Sequence, residues 1–159
     1  MSYPEPLYLK EEGEVSATYR PGDHSPELVY ANGTTIHYLA TGATSAGGFG
    51  LYRYEMTSAR SGPAPHFHRT ISESFYTLTG SIRIHDGERW IDTQAGDFVH
   101  VPAGGIHGFR NESDAPASML IHFAPGAPRE AYFEDLVHLA EKSQHEVVEF
   151  MRYHDTYWL

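Results

Sequence analysis

The sequence predicts an all-β barrel or sandwich followed by a C-terminal helical segment, and three observations carry that expectation. Short runs of β-prone residues alternate with Gly, Pro, Asn and Asp turn signals from residue 28 to residue 123. Two of those signals, Asn32-Gly33 and Asp86-Gly87, are dipeptides that favour tight hairpins. After Pro125 the pattern changes, and Tyr132, Phe133, Leu136, Val137, Leu139 and Ala140 recur at helical spacing.

Residues 1–26 are polar and broken by Pro4, Pro6, Pro21 and Pro26, which predicts an arm rather than a folded unit. Tyr3, Tyr8 and Tyr19 could anchor it to the domain or to a partner subunit. Residues 28–31 and 34–39 flank Asn32-Gly33 as a hairpin. Residues 49–56 form an aromatic-rich strand with Tyr52, Tyr54 and Met56 on one face. A turn over residues 58–65 delivers the chain to His66-Phe67-His68. Strands follow over 74–78, 81–85, 89–92, 98–101, 107–110 and 117–123, separated by Gly80, Asp86-Gly87, Gly96, Pro102 to Gly105, and the polar loop 111–115. Pro128 suits the first turn of a helix, and Ser143-x-x-Glu146 reads as the capping box of a second. Both helices are expected on the outside of the barrel. The chain thus divides into an arm (1–26), a β-barrel (27–125) and a helical segment packed on it (126–159).

Composition narrows the function classes. With 159 residues, 40% of them hydrophobic and 13% aromatic, the chain is long and apolar enough for one folded core. A formal net charge of −10 argues against nucleic acid and anionic membrane surfaces as partners. The absence of cysteine excludes disulfides and thiol catalysis and is compatible with a reducing compartment. No apolar run approaches the roughly 18 residues that span a bilayer, and no secretory leader is evident. A soluble, cytoplasmic protein is expected.

The chemistry concentrates between Pro65 and Asn111. On a strand, residues i and i+2 point to the same face, so His66 and His68 can grip one ion. Glu73 could join them across a short bend, and His107 could arrive from a strand distant in sequence. Three neutral imidazoles and one carboxylate suit a divalent first-row metal. Most of the 11 histidines need bind nothing. These are set apart by the glycines and the proline around them.

The spacing His66-x-His68-x4-Glu73-x6-Gly80, followed by Gly96-x5-Pro102-x-Gly104-x2-His107-x3-Asn111, resembles the paired signatures of the cupin superfamily. One position departs from the pattern: Arg60 stands where a glycine is common, with Gly62 nearby. The resemblance implies a double-stranded β-helix, or jelly-roll barrel, and a metal inside its mouth held by His66, His68, Glu73 and His107. The metal would be one divalent transition ion per chain: iron, manganese, nickel, cobalt, copper or zinc. The Pro-x-His-x-His entry, the Glu-Ser-Phe-Tyr strand and the helix after Pro125 are similar to the small single-barrel quercetin-dioxygenase-like group. That likeness implies an oxygenase whose partners are dioxygen and an aromatic or enolisable small molecule, working as a homodimer. A zinc-type cyclase or isomerase, for polyketides or sugar derivatives, is the alternative, and a non-catalytic small-molecule-binding cupin is a third. Glu73 is expected either as ligand alone or also as general base. By strand parity Tyr54, Met56, Phe75, Thr77 and Phe109 would line the substrate pocket, although each also suits plain core.

Overall fold

A computed structural model describes residues 2–159. Its β-strands run in chain order as β1 (Leu28–Val29), β2 (Thr35–Ala40), β3 (Gly50–Met56), β4 (His66–Phe67), β5 (Ser72–Thr79), β6 (Ser81–His85), β7 (Trp90–Gln94), β8 (Phe98–Val101), β9 (Gly108–Arg110) and β10 (Ala117–Ala124). Helix α1 (Arg129–Asp135), a 3-10 segment (Leu136–Glu141), helix α2 (Gln144–Tyr153) and a final strand β11 (Tyr157–Trp158) complete the chain. The strands form a six-stranded sheet in the order β1-β2-β3-β10-β5-β8, a three-stranded sheet β7-β6-β9 and the pair β11-β4, with antiparallel pairing throughout. This is the double-stranded β-helix that the sequence predicts.

The core follows from the period-two pattern of the strands. On β10, Ala117, Met119, Ile121 and Phe123 point inward and are buried, whereas Ser118, Leu120 and His122 face the other way. Tyr52 and Met56 of β3 and Phe75 of β5 flank them, and Ile82 and Ile84 of β6 close the layer from the smaller sheet. Burying each such side chain contributes about 1.5–3 kcal/mol.

The hairpin signals mark real turns but longer ones than a two-residue loop. Val29 pairs with Thr35, so the first loop runs from Tyr30 to Thr34. There the Gly33 N–H donates to the Tyr30 carbonyl, and Asn32 Oδ1 accepts from the Thr34 N–H. His85 pairs with Trp90, and Asp86 Oδ1 collects the N–H groups of Glu88 and Arg89 between them. In both loops the Asn or Asp side chain replaces a ladder bond and admits extra residues.

The C-terminal segment departs from expectation in its placement. Ser143 and Glu146 form the capping box that opens α2, as the sequence indicates. The helices, however, lie across the mouth of the barrel rather than along its outer wall. Arg129, Tyr132 and Phe133 of α1 and Met151 of α2 are buried there. The amphipathic pattern predicts which helix face is buried, not what it is buried against. In the N-terminal arm, Tyr3, Tyr8 and Tyr19 are exposed, and the Tyr8 hydroxyl donates to the Glu12 carbonyl within the arm itself. The arm meets the barrel at Arg20, whose guanidinium donates to both oxygens of Glu27, and Glu27 in turn accepts from the Tyr38 N–H.

Candidate metal centre

The backbone brings the two histidine-bearing segments together before any side chain is considered. His66 and His107 exchange both backbone hydrogen bonds, each 2.8 Å. Residues opposed in this way project side chains to the same face, and the two imidazole centroids are 4.4 Å apart. One step further, the His68 carbonyl accepts from the Gly104 N–H at 2.6 Å, and the Asn111 N–H donates to the Ser61 carbonyl. Asn111 is buried, and its amide donates to the carbonyls of Thr57 and Ala115, tying the loop behind the site. Gly62 makes the close approach possible: its φ is +139°, and a Cβ there would lie 2.0 Å from the Phe109 carbonyl oxygen. It stands near the place where the resemblance leads one to expect glycine at position 60. Glu73 comes from β5, between Val101 of β8 and Phe123 of β10.

His66, His68, Glu73 and His107 are all buried, and one donor atom from each lies within 4.8 Å of the others. Each imidazole is held by a backbone carbonyl at Nδ1: His66 by Ala64 at 2.8 Å, His68 by Asp155 at 2.6 Å and His107 by Gly105 at 3.0 Å. In the neutral rings Nδ1 therefore carries the proton and Nε2 presents a lone pair. Glu73 Oε2 lies 3.0 Å from His68 Nε2 and 2.9 Å from His107 Nε2. Lone pairs facing a carboxylate repel unless a cation sits among them. Two donors each about 2.1 Å from one metal at right angles are about 3 Å apart, so these separations match the edges of a coordination polyhedron. The donor set therefore fits a divalent metal.

The electrostatics agree. Burial pushes the Glu73 carboxyl up, but the imidazoles of His107 and His68 outweigh it and hold the group well below its usual range. Burial, together with the neighbouring His107, pulls His66 down to about 4, which favours the neutral form that coordinates metal. His107 is pulled down by burial and raised, on balance, by Glu73.

The centre opens onto a cavity of about 210 Å3. Of the four donors, His66 and Glu73 line it. Of the side chains expected there, Tyr54 and Phe109 line it as well. Met56, Phe75 and Thr77 do not. They share the inward face but lie in the core, with Thr77 Oγ1 bonded to Thr93 Oγ1 and the Phe75 ring 5.9 Å from that of His107. Strand parity predicts the face a residue occupies and is silent on its depth along the barrel. Gly62, Pro63, Ile121 and Phe123 of the barrel complete one side, and the other side was not anticipated: Arg129, Tyr132, Phe133, Leu136, Met151 and Trp158 all come from the C-terminal segment. Arg129, Tyr132, Phe133 and Leu136 fall at i, i+3, i+4 and i+7, so an arginine on an apolar helical stripe was the available signal. β11 pairs with β4, placing Trp158 opposite His66 with the rings 5.8 Å apart. Asp155 anchors this return. Its carboxylate accepts from the N–H groups of Arg69 and Thr70 and from the Thr70 hydroxyl, while its carbonyl holds His68. His100 and His122 are turned away from the cavity, His100 Nδ1 meeting Ser74 Oγ and His122 stacking on Phe49.

Residues 53–123 match the family model for the cupin domain. That stretch contains all four donors and both signatures. That stretch of the chain is a cupin domain. Forty-eight residues of the chain, 30% of its length, are 38% identical to quercetin 2,3-dioxygenase of Bacillus subtilis, and they span 14% of that protein. Among solved structures, KdgF from Halomonas sp. superposes with a TM-score of 0.61 at 13% identity over 72% of this chain and 97% of its own. The polyketide cyclase RemF from Streptomyces resistomycificus gives a TM-score of 0.57 at 24% identity over 70% of this chain and 81% of its own. At those identities the likeness concerns the fold. Among the described residues, no helix is long and apolar enough to cross a membrane.

Proposed function

We propose that this protein is a metal-dependent dioxygenase acting on a small aromatic or enolisable molecule, with His66, His68, Glu73 and His107 as metal ligands. The observation that carries the reading is the convergence of four buried donors, three of them oriented by backbone carbonyls, on a small aromatic-walled cavity. The local likeness to a quercetin 2,3-dioxygenase supports the reaction class. Four protein donors leave open positions on a five- or six-coordinate ion, the hallmark of a catalytic rather than a structural site. When bound, such an ion supplies Lewis acidity toward an enolate, catecholate or carboxylate oxygen and, if redox-active, electron exchange with dioxygen.

The chain's own residues do the rest. Among the described residues Glu73 is the only carboxylate lining the cavity, so it is the group placed to reach a substrate hydroxyl proton. Tyr54, Phe109, Tyr132 and Phe133 present aromatic surface to a planar substrate, and Trp158 flanks His66. The mainly aromatic and aliphatic wall suits a planar organic molecule better than a polar sugar.

The test is elemental analysis of tag-free protein followed by oxygen-uptake assays with catechols, diketones and flavonols. Roughly one iron, manganese, nickel, cobalt or copper per chain, with oxygen consumed on one of these classes, supports the reading. A redox metal with no oxygen uptake on any class refutes it. Stoichiometric zinc also overturns the oxygenase and moves the assignment to Lewis-acid cyclisation or isomerisation, which the same donor set serves.

A further inference from the structure

Among the described residues Arg129 is the one Lys or Arg side chain in the cavity wall, and its surroundings do not explain it. The residue is only 4% exposed. Its Nη1 donates to the His154 carbonyl at 2.8 Å, while its Nε is buried without a partner. It belongs to no salt bridge among the described residues, and the acidic neighbours on α1 are engaged elsewhere: Glu130 accepts the Tyr52 hydroxyl and Glu134 that of Tyr38. Aromatic rings hold the guanidinium in place, 4.0 Å over Tyr132 and 4.9 Å over Phe123. A buried cation without a carboxylate is costly, and evolution rarely leaves one idle at a cavity wall. Cation–π contacts offset part of that cost but leave donors of the planar fork free.

We infer that the cavity binds a small organic monoanion, an acid with a single-ring or similarly compact apolar body, whose carboxylate pairs with Arg129. The inference rests on the reading of this cavity as the substrate site and adds the substrate's charge and size. Glu73, the only negative group in the wall among the described residues, is one of the four metal donors, so the guanidinium charge is left over for a ligand. The chain as a whole carries −10 and repels anions, so admission of one requires a local cation such as this. A wall of Tyr54, Phe109, Ile121 and Phe133 receives the apolar body, and the cavity of about 210 Å3 limits its size.

The experiment is calorimetric titration with benzoate and with benzamide, its uncharged counterpart, on the protein as purified and on His68→Ala, Arg129→Met and Arg129→Lys variants. Hydrogen bonds to a charged group contribute about 1.5–3 kcal/mol, so benzoate should bind the wild-type protein at least about tenfold more tightly than benzamide. Arg129→Met should abolish that preference by weakening benzoate alone, and Arg129→Lys should retain part of it. His68→Ala, stripped of metal, should keep the preference. Absent benzoate binding, equal affinities in the wild type, or a preference that survives Arg129→Met overturns the inference. A preference lost in His68→Ala but kept in Arg129→Met assigns the anion to the metal and also overturns it. Should Arg129→Met fail to fold, the ratios in wild type and His68→Ala decide. Metal content of the same samples is read separately. Wild-type protein that purifies without metal yet keeps the preference sinks the oxygenase reading alone, and metal-loaded wild-type protein without the preference sinks this inference alone.

Discussion

Replacing Gly62 by alanine should damage the fold and the site together. The backbone there has φ +139°, which L-residues avoid at a cost of about 1–3 kcal/mol. The added Cβ would stand 2.0 Å from the Phe109 carbonyl oxygen and 2.9 Å from the Arg110 Cα, both backbone atoms that cannot rotate away. Separating the Gly62 strand from β9 adds about 1–3 kcal/mol of overpacking. The sum, about 2–6 kcal/mol, corresponds to a fall in melting temperature of roughly 4–24 °C for a chain of this size. Because Ser61 and Asn111 are bridged on one side of this contact and His66 and His107 on the other, the displacement should also pull those two imidazoles apart and weaken metal binding. Circular-dichroism melts and urea midpoints, with Gly22→Ala as the control, measure it. A Cβ on Gly22 meets nothing within 4 Å, so the control should stay within about 0.5 kcal/mol of wild type. A loss below about 1 kcal/mol for Gly62→Ala would show that the segment does not lie against β9 as described.

Three further outcomes follow from the same geometry. Added metal at about a hundred times its dissociation constant should stabilise the protein by about 2.7 kcal/mol, roughly 5–11 °C, and His68→Ala should lose that shift in a thermal melt. Asp155→Ala removes the carboxylate that accepts from Arg69 and Thr70 beside His68, and should weaken metal affinity about 10–100-fold in competition with a chelator while the barrel stays folded. In metal-free protein, His66 has its imidazole lowered from 6.5 to about 4 by burial and by His107, so the unfolded chain takes up that proton first and stability falls as pH drops through this window. His66→Gln removes that contribution, and the difference between the two denaturation midpoints should change by about 3 kcal/mol between the two limits. A constant difference would mean that the ring is not held neutral.

The fold and the donor cluster were legible in the sequence for different reasons than the cavity was not. His66, His68, Glu73 and His107 sit at spacings that combine strand parity with turn glycines, and both are local properties of the chain. Tyr54 and Phe109 were legible by parity as well. Met56, Phe75 and Thr77 obey the same parity, yet depth in the barrel depends on stagger between strands, which no local window contains. β11 is two residues long and has no periodicity to read, so its pairing with β4 could not be foreseen. Helix α1 announced an apolar face, but the sequence does not say that the barrel mouth is what it covers.

That asymmetry bears on what the family likeness can explain. The matched stretch, residues 53–123, carries every donor atom, so likeness to other cupins speaks to the metal. The side chains that close the cavity, Arg129, Tyr132, Phe133, Leu136, Met151 and Trp158, all lie beyond it. Arg129 and the aromatic side chains around it thus lie outside the stretch that the family likeness covers. The two parts meet through the β11–β4 pairing and through Asp155, which holds the tail to Arg69 and Thr70 by its carboxylate and orients His68 by its carbonyl. A ligand seated on the C-terminal wall would thereby be coupled, through Asp155 among other contacts, to the orientation of His68. Specificity should accordingly follow exchange of residues 126–159 between related barrels, whereas metal binding should follow residues 53–123 together with the Asp155 contact.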